Sequence, residues 1–245
     1  GLGTGLTASP VVADRDVERA VVVELIPEVV EAARLLSDVN LGVVDHAKVE
    51  VRIGDAKHYL QRTDRRFDVI VADLFVPWES RAGYLYTVEF YKTVRQRLKP
   101  GGHFCQWLAL YQFGPEEFEL VADSFATVFP NVTLWWGQLD SQFPIMAIIG
   151  SELPLTPDAR RWGSLTDVPG VSETELTGPD TLFGLYLGQW SPRTGRRLNT
   201  DEHPRLEFAA PLSRGSKQRL TGPRLRAYFD GTRRLRMSRV PVRNG

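Results

Sequence analysis

The sequence of 245 residues predicts an α/β fold with a doubly wound, mainly parallel sheet. Three observations carry that expectation. Short apolar runs that end on an acid or an amide alternate with stretches of helical spacing through the first 150 residues. The connections between the runs are long enough for βαβ crossovers, which cover both faces of a parallel sheet. Pro and Gly stand where the periodic stretches begin and stop.

Gly1-Leu2-Gly3-Thr4-Gly5 opens the chain as a tight turn whose glycines let backbone approach a ligand. Ala20–Leu25 (AVVVEL) is continuously apolar up to its acid, as a strand buried on both faces must be. Pro27 suits the first turn of a helix, and Val29, Ala33 and Leu36 share one face of it. Lys48–Ile53 (KVEVRI) alternates like a strand, and Gly54-Asp55 turns it into a short helix near Ala56–Gln61. Phe67–Ala72 is the next strand and runs straight into Asp73. Tyr86–Leu98 has helical spacing and stops at Pro100-Gly101-Gly102. His103–Leu108 predicts a strand and Pro115–Phe129 a helix ended by Pro130. Val132–Trp136 and Ile145–Ile149, joined by polar residues 137–142, predict an antiparallel edge pair. Past Ser151 the pattern fades to short apolar pieces such as Leu182–Leu187, and Leu206–Ala209 predicts a strand after a turn at Pro204. Three parts are therefore expected: a domain over 1–150, an irregular extension over 151–212 packed on it, and a basic, solvated tail over 213–245.

Composition narrows the function classes. A single Cys105 excludes an internal disulfide framework and suits a reducing compartment. That cysteine and four scattered histidines give no metal-ligand spacing, so no metal is expected. No apolar run is long enough to span a bilayer. The net charge is zero but unevenly spread: from Ser213 onward ten Lys and Arg face one acid, Asp230, which leaves residues 1–212 at −9. An acidic body steers cationic substrates toward itself. The tail suits contact with anionic lipid or nucleic acid on charge alone. Its only aromatics, Tyr228 and Phe229, are too few for base stacking, so nucleic acid is not an expected partner.

Ligands of an open parallel sheet bind beyond the carboxyl ends of its strands. The Gly1, Gly3, Gly5 turn, Glu24, Asp55, Asp73 and the pair Gln106-Trp107 all stand at such ends. Taken singly, the turn is only a turn and Glu24 only a charge at a helix N-terminus. Taken in order they describe an adenosine pocket: glycines for close approach, Glu24 for the ribose hydroxyls, Asp55 for the adenine amino group. The turn lacks the later glycine of a dinucleotide fingerprint, and Asp55 is not required by one, so an adenosyl sulfonium is favoured over a dinucleotide.

The stretches GLGTG, VVVELIPEVVEAAR, KVEVRIGDAKHYL, FDVIVADLF and LYTVEFYKTVRQRLKPGGHFCQW, in this order, resemble the spermidine/spermine synthase family. WLALYQF (107–113) and NTDEHPRLEF (199–208) look more like its branch fused to a membrane-spanning N-terminal part. The resemblance implies a Rossmann-like sheet of the class I S-adenosylmethionine-dependent methyltransferase type. It implies aminopropyl transfer from decarboxylated S-adenosylmethionine to a polyamine such as putrescine, releasing methylthioadenosine, with no permanently bound cofactor. By position it implies Gly1, Gly3, Gly5, Glu24, Asp55 and Ala56 at the nucleoside, Asp73 as general base, and Asp73, Glu79, Tyr86 and Gln106 at the amine. A homodimer on the cytoplasmic side, tethered to a membrane in the full-length parent, is part of the same expectation. The chemistry suits Asp73. An alkyl ammonium, with a pKa near ~10.4, must lose a proton before it attacks carbon, and a carboxylate in an apolar mouth can orient it and take that proton.

The chain departs from the resemblance in two places. Soluble synthases carry a second acid shortly after the catalytic one, in DSSDP or DSTDP; here the run is Asp73-Leu74-Phe75-Val76-Pro77, and Glu79 is the nearest substitute. The apolar strand and β-hairpin that precede the glycine turn in the family are absent, so the chain alone is expected to fold poorly. Rival readings are an S-adenosylmethionine-dependent methyltransferase and a degenerate polyamine- or nucleoside-binding domain on a membrane protein. The first needs donors for a carboxylate; Thr4 and Thr7 qualify, but residues 1–14 hold no Lys or Arg. In NTDEHPRLEF, His203 reads as part of a turn rather than as a substrate contact.

Overall fold

The computed structural model describes residues 1–138, 140–157, 184–213, 218–232 and 234–236. The described residues form two compact units, one of residues 1–63 and one of residues 64–157 with those from 184 onward. The division falls between the second and third strands, well before the boundary expected at residue 150.

The first unit runs α1 (Pro10–Ala13), β1 (Ala20–Glu24), α2 (Pro27–Arg34), α3 (Ser37–Asn40), β2 (Val49–Ile53) and α4 (Ala56–Arg62). β1 and β2 pair in parallel, with Glu24 opposite Ile53 at their carboxyl ends. Pro27 starts α2 and Glu28 lies in its first turn, where a negative charge meets the positive helix end. Val30 and Ala33 of α2 pack with Leu2, Val43 and Val44 into the core of this unit, and Val22, Val49 and Val51 close on it from the sheet.

The second unit begins with β3 (Phe67–Ala72), α5 (Val88–Arg97), β4 (Leu98–Ala109), α6 (Pro115–Val128), β5 (Asn131–Gln138) and β6 (Ile145–Ser151). It continues with β7 (Tyr186–Trp190), α7 (Arg205–Ser213), α8 (Gly222–Gly231) and β8 (Leu235–Arg236). Its sheet has the order β3-β4-β6-β5-β7-β8. β3 and β4 are parallel around the crossover through α5, and the expected antiparallel pair β5–β6 is present, with β6 also antiparallel to β4. The antiparallel part is larger than a single edge pair, because β7, from the part expected to be irregular, and β8, from the part expected to be a solvated tail, add two further ladders. The class is α/β, with the parallel pairing where helices connect the strands. Phe104 of β4 stacks on Phe125 of α6 at 5.4 Å, and Tyr91 of α5 meets Phe125 edge-on at 4.9 Å. These rings are the middle of the core. Val69 and Val71 of β3 are 57% and 48% exposed.

Three local expectations change. The helix expected from Tyr86 starts at Val88, capped by the Thr87 hydroxyl on the Phe90 N–H, and residues 82–86 form a 3₁₀ turn before it. The strand expected over Leu206–Ala209 is helix α7: Leu206 and Ala210, one turn apart, are the buried residues. The basic segment expected to be solvated is folded wherever it is described. Phe229 of α8 is buried against Phe118 and Trp136, and Arg234 pairs with Glu119 and Asp123 of α6 while its guanidinium lies 4.3 Å from the Trp190 ring centroid. A buried guanidinium needs such partners, and α6 supplies both. Residues 158–183 of the 151–212 extension, with Leu182 and Phe183 of the piece Leu182–Leu187, and Arg233 and Arg239 of the basic run lie outside the described residues.

Candidate functional site

In the first unit the glycine turn, Glu24 and Asp55 come to one end of the β1–β2 pair. Leu2 anchors the turn in the core, and the Gly5 N–H donates to the Leu2 carbonyl at 2.9 Å. Gly5 has φ +83°, and a Cβ there would stand 2.9 Å from both Asn40 Nδ2 and Val43 Cγ1. Both the backbone angle and the crowding demand glycine. Asn40 is fully buried; its Nδ2 donates to the carbonyls of Thr4 (2.9 Å) and Ala33 (2.7 Å) and its Oδ1 accepts the Gly42 N–H at 3.1 Å. Sequence reasoning passed over Asn40, although a polar residue just before Leu41-Gly42, both left-handed, signals a helix end.

Glu24 is 7% exposed. Its Oε2 accepts the Leu2 N–H at 2.6 Å and its Oε1 the Ile26 N–H at 3.0 Å. Burial pushes its pKa upward, but hydrogen bonds from the Leu2 and Ile26 N–H groups, the positive charge of the Gly1 amino group and a hydrogen bond from Gly3 together hold it below the ordinary value. It stands ionised, pins the turn, and keeps lone pairs for further hydrogen bonds, since each carboxylate oxygen accepts about two. The Gly54 N–H donates to the Glu24 carbonyl at 2.8 Å, so Asp55 leaves β2 beside it. Asp55 is exposed and caps α4, accepting the His58 N–H at 2.9 Å; Ala56 is the first residue of that helix.

In the second unit Asp73 follows β3 directly, one residue past the pairing of Ala72 with Gln106. It is half-buried, and its Oδ1 accepts the Leu74 N–H at 2.8 Å. Its charge reaches Cys105: burial first, and Asp73 second, push that thiol up to about 12. The loop from Leu74 to Tyr86 supplies an apolar rim, with Pro77 buried and Phe75, Val76 and Trp78 half-buried. The Arg219 guanidinium lies 5.3 Å from the Trp78 ring centroid. Glu79, the acid nearest to Val76 after Asp73 in the loop, is exposed on a turn in which its N–H donates to the Val76 carbonyl at 3.1 Å.

Tyr86 and Gln106, expected at the amine, are both completely buried. The Tyr86 hydroxyl donates to the Phe75 carbonyl at 3.1 Å, and burial pushes its pKa well up. Gln106 Nε2 donates to the Leu85 carbonyl at 3.2 Å while its Oε1 accepts the Tyr91 hydroxyl at 2.8 Å. Their polar atoms are occupied by the chain, because a phenol and an amide in an aromatic core must find partners there. The structure thus gives both residues the task of tying down the loop behind Asp73. Asn199 and Glu207 of the late motif, which sequence reasoning missed, and Asp201, which it weighed only as part of a turn or substrate-contacting loop, bind residues 81–88. His203 is exposed in the turn before α7, as the turn reading expects. Among the described residues no group of three or more His, Cys, Asp or Glu is placed to hold a metal ion, and no helix is long and apolar enough to cross a membrane.

Comparison with known proteins bears on residues 1–140, which match the profile of the spermine/spermidine synthase domain. Polyamine aminopropyltransferase 2 of Hyperthermus butylicus is 33% identical over 134 residues, 54% of this chain and 44% of that protein. The polyamine aminopropyltransferase of Oceanobacillus iheyensis is 42% identical over 105 residues, 42% of this chain and 20% of that protein. The chain therefore spans less than half the length of these relatives. Among solved structures, spermidine synthase from Thermotoga maritima superposes with a TM-score of 0.56 at 20% identity, covering 94% of this chain and 66% of that one. Human methyltransferase-like protein 13 in complex with SAH gives 0.50 at 20% identity, covering 63% and 70%. Both likenesses concern the fold.

Proposed function

Because the chain belongs to the spermine/spermidine synthase family, we propose that it carries the transfer chemistry of a polyamine aminopropyltransferase. The observation that carries this reading is Asp73: a half-buried carboxylate at the end of β3, under an apolar loop. In this role its free oxygen surface receives the ammonium of a polyamine, orients it and takes one proton. The freed amine lone pair attacks the aminopropyl carbon bonded to the sulfonium. The C–N bond forms as the C–S bond breaks, sulfur keeps the bonding pair, and methylthioadenosine leaves neutral. The rim of Phe75, Val76, Pro77 and Trp78 excludes water and so favours the neutral amine. Glu79 supplies the second negative charge for the far end of the amine in place of Val76.

The co-substrate of this reading is decarboxylated S-adenosylmethionine, with Glu24 on the ribose hydroxyls and Asp55-Ala56 at the adenine. The ionised Glu24 suits a diol donor, and the turn held by Asn40 brings backbone rather than side chain to the ligand. The turn region offers no cationic side chain for the extra carboxylate of S-adenosylmethionine before Arg15.

The test is calorimetry on the full-length protein with the two sulfonium nucleosides. A preference for the decarboxylated form of tenfold or more, about 1.4 kcal/mol, is the expected result. A preference for S-adenosylmethionine itself would replace this reading with methyl transfer.

A further inference from the structure

The late segment around residues 199–207 grips the loop that follows Asp73. Glu207 on α7 accepts the Arg81 N–H at Oε1 (2.6 Å) and the Gly83 N–H at Oε2 (3.0 Å). Arg81 has φ +70°, a left-handed angle that a side-chain-bearing residue adopts only when its surroundings hold it there. At Gly83 a Cβ would stand 2.7 Å from Glu207 Oε2 and 2.9 Å from the Glu207 backbone nitrogen, so the glycine is what lets the carboxylate close on both N–H groups.

Asn199 holds the same turn from its other side. It is fully buried, and its Nδ2 donates to the Gly83 carbonyl at 2.9 Å while its Oδ1 accepts the Leu206 N–H of α7 at 3.0 Å. Its own N–H donates to Ser124 Oγ of α6 at 2.9 Å, and its carbonyl accepts the Val88 N–H at the start of α5 at 2.9 Å. Asp201 Oδ1 accepts the hydroxyl of Thr87, the cap of α5, at 2.6 Å. One side-chain amide and two carboxylates from a single segment thus converge on residues 81–88, in a region where buried polar groups must be paired. Glu79 lies two residues before Arg81 on the same loop, and Asp73 lies at its foot.

We infer that Asn199, Asp201 and Glu207 are positioning residues of the transfer reaction, a clamp that fixes the loop carrying Glu79 and the apolar rim and thereby sets the grip on the amine. The inference deepens the aminopropyltransferase reading and rests on it for its kinetic consequence.

The experiment compares Glu207→Gln with the wild type in the full-length protein, with Glu116→Gln, an exposed change on α6, as control. The glutamine keeps one accepting oxygen and turns an NH2 toward the other N–H. Amide hydrogen exchange at Arg81 or Gly83 is expected to speed up about tenfold or more while β4 amides such as Phe104 keep their rates. The KM for putrescine or spermidine is expected to rise about tenfold, with the KM for the sulfonium nucleoside within about threefold. Exchange unchanged at both loop amides overturns the clamp. Acceleration spread equally over β4 reduces Glu207 to a structural residue and overturns it too, as does loop-confined acceleration with an unchanged amine KM. If the wild type transfers no aminopropyl group, the functional reading fails by itself. Calorimetric affinity for the same amines then replaces KM, and an affinity equal in both proteins overturns the clamp.

Discussion

The Leu2 N–H donates to Glu24 Oε2 at 2.6 Å, so the acid at the end of β1 and the glycine turn are one unit of structure. Removing the carboxylate should therefore disturb turn and ligand together. Glu24→Ala leaves the Leu2 and Ile26 donors without their charged acceptor, at a cost of about 1.5–3 kcal/mol for each bond lost. Chemical denaturation should show the loss, and calorimetry should show weaker binding of the adenosyl sulfonium. The pH dependence follows from the depressed pKa. The stabilisation is present above the ordinary carboxylate value of 4.5 and is lost as pH falls through the lower folded value. A wild-type protein whose turn is as stable at pH 3 as at pH 6 would contradict this.

Asp73→Asn removes the carboxylate that the proposed function uses as its base and keeps the shape. Turnover should fall by about 10²–10⁴, with sulfonium affinity little changed. Cys105 offers a second readout without substrate. Loss of the Asp73 charge should move the thiol down from about 12, with burial still holding it above its ordinary value. The rate of alkylation as a function of pH measures this, and an unmoved thiol would mean the two groups do not interact.

Gly5→Ala tests the turn directly. The new methyl meets Asn40 and Val43 at 2.9 Å and the backbone keeps φ +83°, so destabilisation of about 1–3 kcal/mol is expected. Asn40→Ala should weaken the same turn by leaving the Thr4 and Ala33 carbonyls without their donor. The two changes share one contact and should be less than additive in a double-mutant cycle.

Arg234→Met leaves Glu119 and Asp123 buried on α6 with one guanidinium fewer, Arg196 remaining. Breaking one partner of a buried ion pair costs about 3–5 kcal/mol, so a clear drop in the denaturation midpoint is expected. Replacing Arg234, Glu119 and Asp123 together by apolar residues should recover much of it.

The strand-end acids were legible because their signals are local. An apolar run, its terminal Glu24 or Asp73, and the turn after it fall within a few residues, and backbone sterics read such a stretch wherever it stands. The burial of Tyr86 and Gln106 behind the loop, with their polar atoms held by Phe75, Leu85 and Tyr91, was not legible in the sequence. Which way a residue of β4 faces depends on its register with the neighbouring strand, here the pairing of Ala72 with Gln106, which no single segment encodes. The clamp was illegible for a plainer reason: Glu207 and Arg81 are 126 residues apart. The helix α7 was missed because a short apolar run fits strand and helix alike until its partners are known.

By itself, then, the sequence determined the alternation of strands and helices through residue 151, the glycine turn, and the acids at the strand ends, all written in steric and hydrophobic patterns a few residues long. The tertiary structure alone decided that Glu24 spends its charge on the Leu2 and Ile26 N–H groups, that Tyr86 and Gln106 are buried inside the loop they hold, and that Arg234 is buried in ion pairs with α6. Each of these is a matter of which buried polar group satisfies which, and that pairing exists only once distant segments have been brought within hydrogen-bonding distance.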